Sequence, residues 1–167
     1  SADGWNKLSG AFKRLVGRFD VVLAADTDTA RRLETLLGEP VQSTGNMKSA
    51  LPPPSASEIE IRRLRENFLA DRRCILAAST HDGEEAIFLD ALKGDDTSAL
   101  IIAPRHPDRG NAVELLLKER GLTFARRSRG EVPTPRTRIL LADTMGEMGL
   151  WYRLANSVFL GGGHTPG

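Results

Sequence analysis

From residue 57 to residue 160 the chain alternates short, largely apolar runs with longer amphipathic stretches, and this constrains the fold more than any other feature. The runs fall at residues 74–78, 100–103, 122–125, 138–142 and 158–160, apolar throughout except at Thr123 and Arg138. A strand that is apolar at every position has both faces covered, as where helices pack on the two sides of a parallel sheet. Between the runs, apolar spacing and end signals predict helices at residues 57–70, 83–92, 108–120 and 146–155. Ser57 with Glu60 is a capping-box start, and Gly121 closes the third of these helices. The expected architecture is a doubly wound, Rossmann-like α/β domain with strand order 3-2-1-4-5.

Upstream, Trp5, Leu8, Phe12, Leu15, Val16 and Phe19 lie at helical spacing. Residues 20–25 read as a strand, and residues 29–37 as a helix with Asp26 or Thr27 as its cap and Gly38 at its end. Residues 40–45 read as a second strand, completing a β-α-β unit. Pro52-Pro53-Pro54 follows and cannot sit inside a helix. Residues 46–57 are therefore read as an interdomain linker, or alternatively as a surface loop within one domain. The expected division is 1–45, 46–57 and 58–167. A strand running straight into Gly161-Gly162-Gly163-His164 normally feeds another helix, so the chain is expected to be a fragment.

Composition narrows the class. With 40% hydrophobic residues and a formal net charge of +1, the chain is no disordered segment. The balance of 23 Lys and Arg against 22 Asp and Glu argues against a nucleic-acid binder. The lone Cys74 excludes an intramolecular disulfide and a cysteine-based zinc site. No apolar run approaches the roughly 18 residues that span a bilayer, and the expectation for the stretch as given is a soluble piece from a reducing compartment.

Four polar motifs follow strands, and loops after parallel strands share the carboxyl edge of the sheet, where open α/β sheets bind ligands. They are Ser79-Thr80-His81-Asp82-Gly83-Glu84-Glu85, Pro104-Arg105-His106-Pro107, Asp143-Thr144-Met145-Gly146-Glu147 and Gly161-Gly162-Gly163-His164. All three histidines, His81, His106 and His164, fall in them. Ser79 and Thr80 suit helix caps, with Glu84 in the first turn, while His81 adds a donor where an anion would sit. Arg105 offers a planar cationic fork to a phosphate, the alternative being a surface pair with Asp108. Gly146 allows close approach of the backbone, and Glu147 can accept from ribose hydroxyls or a base amine; a plain helix start capped by Asp143 or Thr144 is the alternative. The Arg-rich stretch 126–138 reads as a solvated loop, or as a segment attracted to anionic lipid. The glycine run has Pro166 where a dinucleotide fingerprint needs its third glycine, so that reading is weak. No histidine pair has ligand spacing, and neither a Gly-x-Ser-x-Gly elbow nor a Walker motif is present.

Together with Ser128-Arg129-Gly130-Glu131-Val132-Pro133, these motifs occur in the same order in bacterial 3-deoxy-D-manno-octulosonic acid (Kdo) transferases, which the chain closely resembles over nearly its whole length. Ser43-Thr44-Gly45-Asn46-Met47-Lys48 resembles their interdomain segment, and residues 161–167 resemble the approach to a Gly-His-Asn-Pro-Leu-Glu motif. The resemblance implies a GT-B architecture of two Rossmann-like domains, with residues 1–45 closing the acceptor-side domain and residues 58–167 forming an incomplete donor domain. It implies transfer of Kdo from CMP-Kdo to a lipid A precursor, with inversion and without metal or other cofactor, at the cytoplasmic face of the bacterial inner membrane.

On this resemblance the CMP donor meets Ser79, Thr80, His81, Pro104, Arg105, His106, Met145, Gly146 and Glu147. Arg105 neutralises phosphate, Glu147 with Gly146 holds the ribose or base, and Lys48 stabilises charge on the departing CMP. The family's catalytic glutamate, the general base, has no counterpart here, so the stretch by itself is expected to be inactive. The other reading is a non-catalytic nucleotide- or anion-binding Rossmann-like module.

Overall fold

In the computed structural model, which describes residues 9–45 and 51–162, the chain divides into two units, Ser1–Pro52 and Pro53–Gly167. The first is built from α1 (Ser9–Val16), β1 (Leu23–Ala24), α2 (Thr27–Leu37) and β2 (Gln42–Ser43), with the two strands parallel. Asp26 caps α2 by accepting from the Thr29 amide at 2.7 Å and the Thr29 hydroxyl at 2.8 Å. Gly38 ends the helix at φ 76°, a left-handed conformation that suits a residue without Cβ. Ala24, Ala30, Leu37 and Val41 are buried together, with Phe12 and Val16 of α1 packed against them. The expected β-α-β unit is present, with both strands shorter than predicted. Trp5 and Leu8 lie outside the described residues.

The second unit runs α3 (Glu58–Leu64), β3 (Cys74–Thr80), α4 (Glu84–Ala91), β4 (Ala99–Pro104), α5 (Gly110–Glu119), β5 (Phe124–Arg126), β6 (Ile139–Leu141), α6 (Met148–Leu154) and β7 (Ser157–Leu160). Ser57 accepts from the Glu60 amide at 3.4 Å, one half of the expected capping box, while the Glu60 carboxylate meets Arg63 at 2.8 Å and Arg127 at 2.7 Å. Beyond Leu64 the helix continues only as a π-helical turn, Arg65–Leu69, which stops at Ala70 with φ 45°. A 3-10 turn, Pro107–Arg109, leads into α5, so Pro107 stands where a missing amide costs nothing.

The five strands are parallel, in the order β5-β6-β4-β3-β7. This corrects the expected 3-2-1-4-5 order, which took residues 122–125 as the third strand of the winding. Between β5 and β6 the chain forms only a 3-10 turn, Arg127–Arg129, and no crossover α-helix. β5 is therefore laid on the outside of β6, and β6 takes the third place. Counted from β6, the arrangement β6-β4-β3-β7 is the doubly wound 3-2-1-4 order.

Strand residues alternate between two apolar layers. Leu76, Ile101 and Leu140 face Ile61, Phe68 and Trp151 on one side. Ala77, Ile102 and Leu141 face Phe88, Val113 and Leu117 on the other. Every residue of β4 is buried, which makes it the centre of the core. β7 departs from the expectation of a covered strand: it lies at the sheet edge, with Val158 at 48% and Leu160 at 65% exposure. Gly149 lets α6 approach the chain at Pro54 and Ser55, since a Cβ there would stand 2.4 Å from the Ser55 carbonyl oxygen. No helix among the described residues is long and apolar enough to cross a membrane.

Cys74 is fully buried at the start of β3, and burial pushes its thiol up to about 12 against the partly offsetting charge of Arg72. In the folded chain Cys74 should resist a thiol reagent such as DTNB at pH 8, and react fully once the chain is unfolded in guanidinium. Rapid labelling of the native chain would show that β3 is not the buried strand described.

Candidate functional site

The loops after β3, β4, β6 and β7 do emerge on one edge, and buried carboxylates tie them together. At the end of β3, Ser79 takes φ 53° and the pairing with β4 shifts register, a bulge that turns Thr80 inward to full burial. Thr80 donates its hydroxyl to Glu85 Oε1 at 2.6 Å rather than capping α4, whose cap is Gly83 at φ 83°. The Arg105 amide donates to the Thr80 carbonyl at 2.9 Å, joining the β3 and β4 loops.

Glu84 and Glu85 are each 1% exposed. Glu84 accepts from the His81 amide at 2.8 Å and from the Gly162 amide at 2.9 and 3.0 Å, so one carboxylate bridges the β3 and β7 loops. A side chain at Gly161 would collide there, its Cβ lying 2.5 Å from the Ser79 carbonyl oxygen. Glu85 is gripped by the Arg109 fork at 2.6 and 3.2 Å, and Arg109 also reaches Asp82 at 2.9 Å. His81 is half-buried beside this clamp, and His164 lies outside the described residues.

The β6 loop hangs on a second cluster. Arg126, at 8% exposure, donates from Nε to Asp143 at 2.6 Å and from Nη1 to Glu114 at 2.6 Å. Asp143 also accepts from the Ser128 amide at 3.0 Å and hydroxyl at 2.7 Å. Burial opposes ionisation of Asp143, yet Ser128 and Arg126 together hold its carboxyl below the usual range. Gly110 opens α5 against this cluster, where a Cβ would stand 2.3 Å from Asp143 Oδ2 and 2.6 Å from Arg126 Nη2. The expectation that residues 126–138 begin as a solvated loop is thus corrected at Arg126, which is buried in a fork of carboxylates.

Glu147 receives Arg127 bidentately, at 3.1 and 2.6 Å, and the Thr144 hydroxyl. Arg127 comes first in holding its carboxyl below the ordinary range. Arg127 in turn reaches Glu60 at 2.7 Å and stacks over the Trp151 ring at 5.7 Å. Neither Asp143 nor Thr144 caps α6 as the helix-start reading supposed; the cap position is Glu147. At the loop tip Gly146 has φ 80°, nothing within 4 Å of where a Cβ would be, and an exposed Met145 beside it.

Arg105 differs from these arginines. It is exposed, and among the described residues its guanidinium has no carboxylate partner, Asp108 included. Pro104 is buried beneath it at the end of β4, and His106 is exposed beside it. Lys48 lies outside the described residues. The sequence reading passed over Arg109, Glu114 and Arg126; the signal available was two consecutive acids at the start of α4 and paired arginines straight after an apolar run. No group of three His, Cys, Asp or Glu side chains among the described residues could hold a metal ion.

The Lys118 ammonium, helped by Arg126 and Arg129, holds the Glu114 carboxyl at about 2 against an ordinary 4.5. A carboxyl depressed in the folded state contributes stability in full above the unfolded value, and that contribution fades as pH falls through the folded one. The thermal-unfolding midpoint of Glu114→Gln should lie below wild type at pH 7, with a shallower fall between about 4.5 and about 2. Parallel pH curves would contradict the cluster. Gly110→Ala, which overpacks the same cluster, should destabilise by ~1–3 kcal/mol in urea unfolding.

Residues 1–51 match the family model described as 3-deoxy-D-manno-octulosonic-acid transferase (kdotransferase). The chain is 34% identical to the 3-deoxy-D-manno-octulosonic acid transferase of Haemophilus influenzae, over 99% of this chain and 42% of that protein. It is 32% identical to the transferase of that name from Bordetella pertussis, over 95% of this chain and 38% of that one. The crystal structure of the C-terminal CMP-Kdo binding domain of WaaA from Acinetobacter baumannii superimposes with a TM-score of 0.54 at 34% identity, covering 60% of this chain and 54% of that one. The chain spans about two fifths of the length of these full-length relatives. Over the stretch that it spans, the chain is similar to the 3-deoxy-D-manno-octulosonic acid transferases.

Proposed function

We propose that the protein takes part in transfer of Kdo from CMP-Kdo to a lipid A precursor at the inner face of the bacterial inner membrane, and that the carboxyl edge of the second unit binds the CMP. The observation that carries this reading is Arg105: a guanidinium without a carboxylate partner among the described residues, at an edge whose other charged groups are mostly tied to one another. A nucleotide phosphate supplies the missing anion, and a planar fork meets two of its oxygens. The domain of the Acinetobacter baumannii protein is named for CMP-Kdo binding, which supports the same placement.

In this reading each residue has a bounded task. The bond from the Kdo anomeric carbon to the phosphate oxygen breaks as the acceptor hydroxyl attacks from the opposite face. CMP leaves with more negative charge on its phosphate than it carried in the donor. Arg105 stabilises that charge, with Lys48 as the second cation, and both act most strongly at the transition state. Ser79, Thr80, His81 and His106 shape the β3 and β4 loops around the phosphate. Because the Glu147 carboxylate is held by Arg127 and Thr144, its task is to set the loop that presents the Met145 and Gly146 backbone to the ribose or base. No metal or cofactor has a task here. The proton of the acceptor hydroxyl goes to a base outside the motifs of this chain, so the chain as given binds the donor without transferring Kdo.

Titration of the 167-residue chain with CMP should show binding that Arg105→Ala weakens by ~1.5–3 kcal/mol, roughly 10- to 150-fold. Arg105→Lys should fall between, since it keeps the charge and loses the fork. An Arg105→Ala variant that binds CMP as tightly as wild type would remove phosphate recognition from this residue. Kdo transfer by the chain alone would show that the base is present in it.

A further inference from the structure

A cavity of about 770 Å³ lies at the opposite, amino edge of the same sheet, and nothing in the donor reading uses it. Its walls are residues that precede strands, among them Arg72, Thr123 and Arg138, together with the carboxyl ends of α4 and α5. The volume is that of a small-ligand pocket. Leu89, Leu92, Leu100 and Leu122 line its apolar part.

The charge in it is unbalanced. Five cationic side chains, Arg72, Lys93, Arg120, Arg136 and Arg138, face two carboxylates. Asp90 is taken by the Arg120 fork at 2.6 and 3.3 Å. Asp96 is 96% exposed and only 3.5 Å from Arg138. Arg72 donates to the carbonyls of Phe68, Leu69 and Thr137 and lies over the Phe68 ring at 5.6 Å, with no carboxylate partner among the described residues. Burial first, and then the like charge of Arg138, pull its pKa down. Among the described residues, Nε of Arg138 is the buried side-chain polar atom without a hydrogen-bond partner, and Lys93 and Arg136 are exposed with no ion pair. The carboxyl ends of α4 and α5 contribute partial negative charge, which Lys93 and Arg120 offset at their own helix ends. A pair of repelling guanidiniums and an orphaned buried donor are relieved together by one bound oxyanion.

We propose that this amino-edge cavity binds a phosphate-bearing ligand, its oxyanion held by Arg138, Arg136 and Lys93 and its apolar portion covered by the leucines. Soluble phosphate esters and anionic lipid headgroups share that chemistry, and the test separates them. The whole chain is titrated with inorganic phosphate at constant ionic strength, followed by amide NMR, beside a Lys93→Ala/Arg136→Ala double variant and Arg105→Ala. Among the described residues neither the Lys93 nor the Arg136 side chain makes a hydrogen bond or ion pair, so the double variant keeps the fold. Saturable binding that shifts Gly94 and Gly121, is weakened at least about tenfold in the double variant and persists in Arg105→Ala is the expected result. Unsaturable binding, equal binding by the double variant, or loss confined to Arg105→Ala overturns the proposal. Sedimentation with phosphatidylglycerol but not phosphatidylcholine vesicles, lost in the double variant, identifies a lipid headgroup as the source. Phosphate binding without sedimentation identifies a soluble ester.

Discussion

Two adjacent buried carboxylates, Glu84 and Glu85, are the constraint on which the carboxyl edge depends. Parallel strands end with their backbone groups pointing the same way, and loops leaving such an edge must satisfy those groups without a partner strand. Glu84 does so for the amides of His81 and Gly162, and Glu85 holds Thr80 and Arg109. Both acids come from the first turn of α4, where the helix dipole favours negative charge. Loops that would otherwise fray become one fixed surface. A buried carboxylate that lost its donors would be costly, by ~3–5 kcal/mol for a broken buried pair, so this surface is made or lost as a unit.

The Arg126 cluster repeats the device on the other side of the sheet centre. Arg126 is fixed by Glu114 and Asp143, and Gly110 is small because the cluster fills the space where a Cβ would stand. Arg127 and Glu147 extend it to the loop that carries Gly146. Loops built this way are organised before any ligand arrives, which lowers the ordering cost of binding. The arginines at 109, 126 and 127 are tied to carboxylates, whereas the one at 105 has no carboxylate partner among the described residues.

What the sequence disclosed follows from the range of the interactions. The Asp26 cap, the Gly38 end and the Ser57 cap act within a few residues and were legible. So was the meeting of four loops at one edge, because parallel pairing puts every strand end there. The strand order was not legible: the strand-like runs at 122–125 and 138–142 look alike, and only the missing crossover helix places β5 outside β6. Arg126 pairs with residues 12 and 17 positions away, and an Arg-rich stretch has the same composition whether solvated or buried. The amino-edge cavity gathers residues from separate strand starts and helix ends, which no local pattern reveals.

Where CMP sits is measured directly by an amide NMR map of its binding to the chain. The predicted result is that shifts concentrate on His81, Arg105, Gly146 and Gly162, around the clamped carboxyl edge. Shifts concentrated on Gly94, Gly121 and Thr123 at the amino edge, with the carboxyl-edge amides unmoved, would contradict it.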